Sequence, residues 1–204
     1  MPWIFQSPVI PEVAIAVVSG VDVPSRLKAY KAGRTKVPAV EQEMAEVYAE
    51  ATYLKYQSAN DVFGVTVASV EALKVRLRTA KEETMLLIEA IRSDSGEHLG
   101  ALLLRVAWTG DAVVDFVGTN LAATKYGDPP IKNAGAMLVY CALAIAKDID
   151  AELIYAETAR HSEAWWRKLL VAGDELVKVD NVDDALARVE QIVAKQGNIT
   201  IKSN

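Results

Sequence analysis

The middle of the chain constrains the fold most strongly, because three apolar runs follow one another with only short turns between them. The runs are Thr84 to Ile91, Leu99 to Trp108 and Ala112 to Val117. Ser93-Asp94-Ser95-Gly96 separates the first two and Thr109-Gly110-Asp111 the last two, and both segments consist of residues that favour tight turns. The sequence therefore predicts a meander of three antiparallel strands.

The next segment changes the character of the sheet. A loop from Leu121 to Lys132, which contains Gly127-Asp128-Pro129-Pro130, leads into an almost wholly apolar helix from Asn133 to Lys147. A short strand, Leu153 to Ala156, follows that helix. A strand, a helix and a second strand in one sheet require a crossover and hence a parallel pair. We therefore predict an α/β protein with a mixed, mostly antiparallel central sheet flanked by helices.

The remaining elements surround this core. Ser162 is predicted to cap a helix that runs through Leu170. The other predicted elements are strands at 13–18, 175–179 and 199–201 and helices at 38–57, 67–80 and 182–194. The 204 residues suit one large domain, or one domain with an added segment. We expect residues 1–37 to form an N-terminal segment with a strand and a basic stretch, and residues 38–204 to form the domain, whose sheet the strand at 13–18 is free to join.

Composition excludes several classes of protein. With 22 basic and 27 acidic residues the net charge is -5, which makes nucleic acid an unlikely partner, and the local run of cations from Arg26 to Lys36 is typical of a solvated face. One cysteine and two histidines predict no disulfide and no metal site. The longest apolar stretch, Gly135 to Ala146, is too short to span a membrane, and the first residues do not form a signal peptide. We therefore expect a cytoplasmic protein without a membrane partner.

Two stretches connect this order of elements with a known family. They are the hairpin Ile91 to Leu103 and the segment Ala164-Trp165-Trp166-Arg167-Lys168-Leu169. Together with the layout of residues 12 to 179, they resemble the GCN5-related N-acetyltransferase (GNAT) family. The resemblance implies an acyl-CoA N-acyltransferase-like fold and acetyl-CoA as the cofactor. In that family the fourth strand and its parallel neighbour splay apart, the pantetheine arm lies in the gap, and the start of the next helix holds the pyrophosphate.

The resemblance also implies which residues of this chain contact the cofactor, and it gives Gly135 the part of allowing close backbone approach. The implied cofactor-binding residues are Val117, Thr119, Lys132, Asn133, Ala134, Gly135, Ala136, Ser162 and Trp166.

Acyl transfer to an amine also needs a base that takes a proton from the amine. The candidate catalytic residues are Asp115, Glu157 and His161, and Glu89 is a further carboxylate on an apolar strand. A carboxylate on a strand is also often exposed or paired with a nearby Lys or Arg, and His161 is equally typical of an exposed loop. Cys141 lies on the apolar helix and is predicted to be a buried small hydrophobe rather than a nucleophile.

Two functions remain open at this point. The first is an acetyl-CoA-dependent N-acyltransferase-like protein that transfers an acyl group by direct attack of an amine on a small molecule or a protein. The alternative is a catalytically inactive scaffold on the same fold, which acts as a structural or interaction protein in a larger assembly such as a virion, or as a homo-oligomer. Pro129-Pro130, a missing glycine in the phosphate loop and Trp166 in place of a family tyrosine favour the second function.

Overall fold

The computed structural model describes residues 3–7, 11–28, 30, 46–54, 66–127, 130–157, 162–170, 176–195 and 199–203. The strands are β1 (Trp3–Gln6), β2 (Val13–Ser19), β3 (Thr84–Arg92), β4 (His98–Val106), β5 (Asp111–Thr119), β6 (Leu153–Glu157), β7 (Leu176–Val179) and β8 (Thr200–Ser203). The helices are α1 (Asp22–Lys28), α2 (46–54), α3 (Val70–Ala80), α4 (Leu121–Thr124), α5 (Ala134–Asp148), α6 (Glu163–Leu169) and α7 (Val182–Lys195). All eight strands form one sheet in the order β7-β6-β5-β4-β3-β2-β1-β8.

The predicted meander is present as β3, β4 and β5, and both of its pairs are antiparallel. Gly96 and Gly110 have φ angles of 71° and 94° in the two turns, a backbone region that favours glycine. The only parallel pair in the sheet described here is β5 with β6, as the crossover requires. The mixed, mostly antiparallel α/β class predicted from the sequence is therefore confirmed.

Helix α5 forms the centre of one layer, and eleven of its fifteen residues are buried. It packs with α3, α6 and α7 on one face of the sheet, where the larger apolar cluster lies. Cys141 is fully buried in this cluster, and burial raises the pKa of its thiol well above the usual value. The thiol is therefore protonated at neutral pH and acts as a small hydrophobe, as predicted.

The opposite face of the sheet carries α1 and α2. Val23 and Leu27 of α1 and Ala49 of α2 cover Leu87, Leu103 and other alternate residues of β3, β4 and β5. Because side chains alternate along a strand, the same three strands supply both cores. We call these two surfaces the α5 face and the α1 face.

Several predicted boundaries differ from the structure. Helix α3 begins at Val70 rather than at residue 67, because the Ser69 side chain accepts from the Ala72 N–H and caps the helix, while Val67 hydrogen-bonds with Ser19. Ser162 is the N-cap residue of α6, as predicted, and its carbonyl accepts from the Trp165 and Trp166 N–H groups, but its side chain makes no capping hydrogen bond. The predicted loop after β5 contains the short helix α4, which Asn120 caps.

The strand predicted at 13–18 is present as β2 and pairs with β3 over seven residues. Strand β1 was not predicted, and it pairs with both β2 and β8. The expected boundary between residues 37 and 38, and most of the basic stretch, lie outside the described residues. Of the helices that the structure describes, none is long and apolar enough to cross a membrane.

Candidate functional site

The two parallel strands beside α5 pair over four residues in the part of the chain that the structure describes. Asp111 to Val114 of β5 pair with Leu153 to Ala156 of β6, and β6 then ends at Glu157. Asp115 to Thr119 continue as a strand, and in the described part of the chain the strand pairs of Phe116 to Thr119 are with β4 alone. We call residues 115–119 the free half of β5. A strand edge without a neighbour presents N–H and C=O groups to a ligand.

A bulge follows Val114, the last residue of β5 that pairs with β6 in the described part of the chain. Leu104 pairs with Val114 and Leu103 with Phe116, so Asp115 is the extra residue on β5. After the bulge, Val117 and Thr119 face α5, whereas Phe116 and Gly118 face α1. A β-bulge bends its strand and commonly redirects side chains beside a functional site. The implied cofactor contacts Val117 and Thr119 therefore lie together on the α5 face of the free half.

The first turn of α5 lies beside this half of β5. Asn133 has a left-handed φ of 66° and makes no side-chain capping hydrogen bond, so it leaves the first N–H groups of the helix uncapped. Ala134, Gly135 and Ala136 are buried, whereas Lys132 is exposed at the entrance. An uncapped helix N-terminus with an adjacent cation favours an anionic group.

Trp165 contacts the same turn. A Cβ built on Gly135 would lie 3.0 Å from Trp165 Cζ2 and 3.6 Å from Thr119 Cγ2. The space that the glycine provides is therefore taken by an indole ring in this conformation. Trp166 is buried, whereas Trp165 is only partly buried. Their rings meet edge to face with centroids 4.7 Å apart.

A small apolar cavity lies between α5, α6 and the paired parts of β5, β6 and β7. Its volume is about 10 Å³, and Val114, Ala156 and Trp166 are among the residues that line it. A cavity of this size holds one water molecule at most. Trp166 therefore packs closely against the paired part of β5 and β6 on the α5 face.

Asp115 and Glu157, the two candidate catalytic carboxylates, differ in how far the structure describes them. The Asp115 side chain is 4% exposed, and its Oδ2 lies 3.0 Å from Arg105 Nε. The Nη1 atom of the same arginine pairs with Glu83. This is the arrangement that the sequence left open as the alternative to catalysis. Glu157 ends β6, but its side chain and the whole of His161 lie outside the described residues.

Glu89 is the buried carboxylate on the α1 face, and its side chain is 6% exposed. Its Oε2 lies 2.5 Å from Arg26 Nη1, and its Oε1 lies 3.6 Å from Nδ1 of the exposed His98. Sequence reasoning named Glu89 but missed His98. The sequence did contain a signal for His98, because the predicted turn between β3 and β4 brings the first residue of β4 back beside the end of β3.

Glu89 also lies in the same row of paired residues across the sheet as Gly118, in the free half of β5. Glu89 pairs with Ala101, and Ala101 pairs with Gly118, so small residues lie between the carboxylate and that half. Within the described ranges, no group of three or more His, Cys, Asp or Glu side chains is placed to hold a metal ion.

Comparison with known proteins gives matches in structure alone. No protein-family model matches the chain, and no curated protein matches it. A cAMP-binding acyltransferase from Mycobacterium smegmatis is 13% identical, with a TM-score of 0.45, over 95% of this chain and 55% of that one. The catalytic domain of the Tetrahymena GCN5 histone acetyltransferase, in complex with coenzyme A, is 8% identical, with a TM-score of 0.35, over 76% and 74% of the two chains.

A nourseothricin acetyltransferase is 18% identical, with a TM-score of 0.33, over 41% of this chain and 48% of that one. The matched region thus spans about half the length of this enzyme and of the mycobacterial one. The chain is similar to acetyltransferases at low identity, and its order of strands and helices is the one that the resemblance to the GNAT family implies.

Proposed function

We propose that this protein is an acyl-CoA-dependent N-acyltransferase that transfers an acyl group, such as acetyl, to an amine by direct attack. The observation that carries the proposal is that, in the described part of the chain, β5 and β6 pair over four residues while β5 continues through residues 115–119. The free half of β5 offers backbone hydrogen bonds to the amide groups of a pantetheine arm, as an added strand would receive them. The uncapped turn at Ala134 to Ala136 and the Lys132 ammonium suit the pyrophosphate.

The reaction needs a group that removes a proton from the attacking amine, and Glu89 with His98 is the best-placed pair. Glu89 holds one imidazole nitrogen at 3.6 Å, which favours the tautomer with a proton on Nδ1 and a lone pair on Nε2. His98 is 58% exposed, so Nε2 is accessible to an incoming amine. The separation is longer than a hydrogen bond, as is common for catalytic groups before substrate binds.

The bond changes balance with the amine as the only other reactant. The amine nitrogen forms a bond to the thioester carbonyl carbon, and the carbon–sulfur bond then breaks. The proton lost by the amine passes by way of His98 and solvent to the departing thiolate, so His98 returns to its starting state. The products are an amide and coenzyme A with a free thiol.

The second candidate function is the inactive scaffold, and one specific observation favours it. Trp165 occupies the space over Gly135 that the cofactor would otherwise use. Trp166 is buried, and an indole is not a proton donor near neutral pH. In this alternative the surface serves contacts in an assembly, and acyl-CoA does not bind.

Calorimetric titration with acetyl-CoA separates the two functions. We expect one site, and ligand at one hundred times its Kd should stabilise the fold by about 2.7 kcal/mol. Lys132→Glu should weaken binding by about fivefold to tenfold, because it reverses a charge beside the α5 N-terminus. Lys147→Glu makes the same charge change at the other, exposed end of α5 and should leave the affinity unchanged. Absence of heat and of a thermal shift at millimolar acetyl-CoA would eliminate the transferase and leave the scaffold.

A further inference from the structure

Tyr30 lies over the free half of β5 on the α1 face. It follows α1, and its N–H donates to the Leu27 carbonyl. Its ring meets Phe116 edge to face with centroids 5.2 Å apart. A Cβ built on Gly118 would lie 2.7 Å from Tyr30 Oη and 3.0 Å from its Cζ. The missing side chain at Gly118 thus makes room for the phenol against the backbone of β5.

The Tyr30 hydroxyl is enclosed, and among the residues that the structure describes it has no hydrogen-bond partner. An unpaired buried hydroxyl lowers stability, and such groups are rare in folded proteins. Burial, with a smaller contribution from the Glu46 charge, raises the pKa of this phenol far above its usual value. The group therefore keeps its proton at every working pH and is a hydrogen-bond donor that lacks an acceptor.

We propose that the Tyr30 hydroxyl donates a hydrogen bond to the thioester carbonyl oxygen of an acyl-CoA bound along the free half of β5. This inference rests on the proposed function and names a catalytic residue for it. Negative charge develops on that oxygen when the amine nitrogen bonds to the carbonyl carbon, and a fixed donor stabilises this charge. Tyr30 keeps its proton throughout, since the thiolate receives the proton that the amine loses.

The surroundings of Tyr30 strengthen such a bond. The hydroxyl lies between the Phe116 ring and the Gly118 backbone, in the smaller apolar cluster of the sheet. A hydrogen bond in surroundings of low polarity is stronger than the same bond in water. Of the two atoms at the reacting end of a thioester, the carbonyl oxygen is a strong acceptor and the sulfur a weak one. The donor therefore matches the oxygen.

The test compares the wild-type protein with Tyr30→Phe, which removes the hydroxyl and keeps the ring. Because the lost group is unpaired without ligand, we expect the Tm of the free protein to rise by about 2–4 °C. We expect acetyl-CoA to bind about fivefold more weakly, as for the loss of one hydrogen bond. In acetyl-CoA labelled with ¹³C at the thioester carbonyl, the infrared band of the bound ligand should lie at lower frequency in the wild type than in Tyr30→Phe.

Tyr53→Phe is the matched control, because Tyr53 packs against the same cluster from α2. It should leave both the Kd and the infrared band unchanged. A Tyr30→Phe protein with a lower Tm would overturn the inference, because the hydroxyl would then have a partner in the free protein. A higher Tm with an unchanged carbonyl band would also overturn it, while the proposed function would stand. If the wild type does not bind acetyl-CoA, the proposed function and this inference fail together.

Discussion

Glu89 places a negative charge inside the sheet, and the Arg26 guanidinium is the cation that stabilises this charge. The carboxylate lies on a strand with seven buried residues, and Arg26 reaches it from α1. The Arg26 side chain is 46% exposed, so water screens the pair in part. Removing one partner of a buried pair costs more than removing both, because the remaining charge stays buried without compensation.

Arg26→Met should therefore lower the free energy of unfolding by about 1–2 kcal/mol, a value below that of fully buried pairs because the arginine is half exposed. The double variant Arg26→Met/Glu89→Gln should recover part of that loss, since no buried charge then remains at residue 89. Urea denaturation of the wild type, both single variants and the double variant measures the coupling. Strictly additive effects would contradict a dependence of Glu89 on Arg26.

Residue types along the strands revealed the polar positions but not their partners. Asp115 and Glu89 both interrupt apolar strands, so the sequence identified both as unusual. Asp115 faces an arginine of its own sheet, whereas Glu89 faces α1. This difference depends on the β-bulge at Asp115 and on the placement of α1. Neither follows from local periodicity. Tyr30 lay within a run of cations that the sequence indicated as a solvated face, which gave no reason to expect a buried ring.

At the scale of elements, α5 and α6 meet at the site, and their contact decides whether a ligand can enter. The indole of Trp165 lies on Gly135, at the turn of α5 that would receive a pyrophosphate. A ligand that binds only after the ring moves has an apparent affinity reduced by the fraction of molecules in which the ring is displaced. Trp165 thus acts as an obstacle in the proposed transferase.

Trp165→Ala should tighten acetyl-CoA binding by about tenfold, because the first turn of α5 no longer has to be uncovered. Calorimetry below the unfolding temperature measures the change. Trp108→Ala removes another indole, 52% exposed and at the start of the turn between β4 and β5, and should leave the affinity unchanged. Weaker binding by Trp165→Ala would mean that the ring contacts the ligand rather than competing with it.

The elements that could be predicted are those whose sequence signals are local. Turn residues separate the strands of the meander, and α5 has an almost continuously apolar sequence. The first and last residues of these elements were therefore predicted to within two positions. Strand β1 has four residues and pairs with β8, nearly two hundred residues away. No local periodicity indicates such a pair, and the extent of the pairing between β5 and β6 likewise depends on two distant segments.

At the scale of the whole molecule, β1 joins the two ends of the described chain. It lies between β2 and β8, so the sheet on that side continues to β8. Phe5 is fully buried, pairs with Val13 and Ile201, and meets Tyr140 of α5 edge to face with centroids 6.0 Å apart. The Phe5 side chain therefore packs β1 against α5, the helix whose first turn lies in the candidate site.

Phe5→Ala should lower the free energy of unfolding by about 3–5 kcal/mol, because it removes a buried ring and leaves a cavity beside Tyr140. Val21→Ala, at a valine that is 71% exposed, should change it by less than about 0.5 kcal/mol. Urea denaturation followed by tryptophan fluorescence measures both. A loss below about 1 kcal/mol for Phe5→Ala would mean that β1 and β8 contribute little to the common core. A large loss in one cooperative transition would show that the sheet folds as a single unit, from β8 to the strands that flank the site.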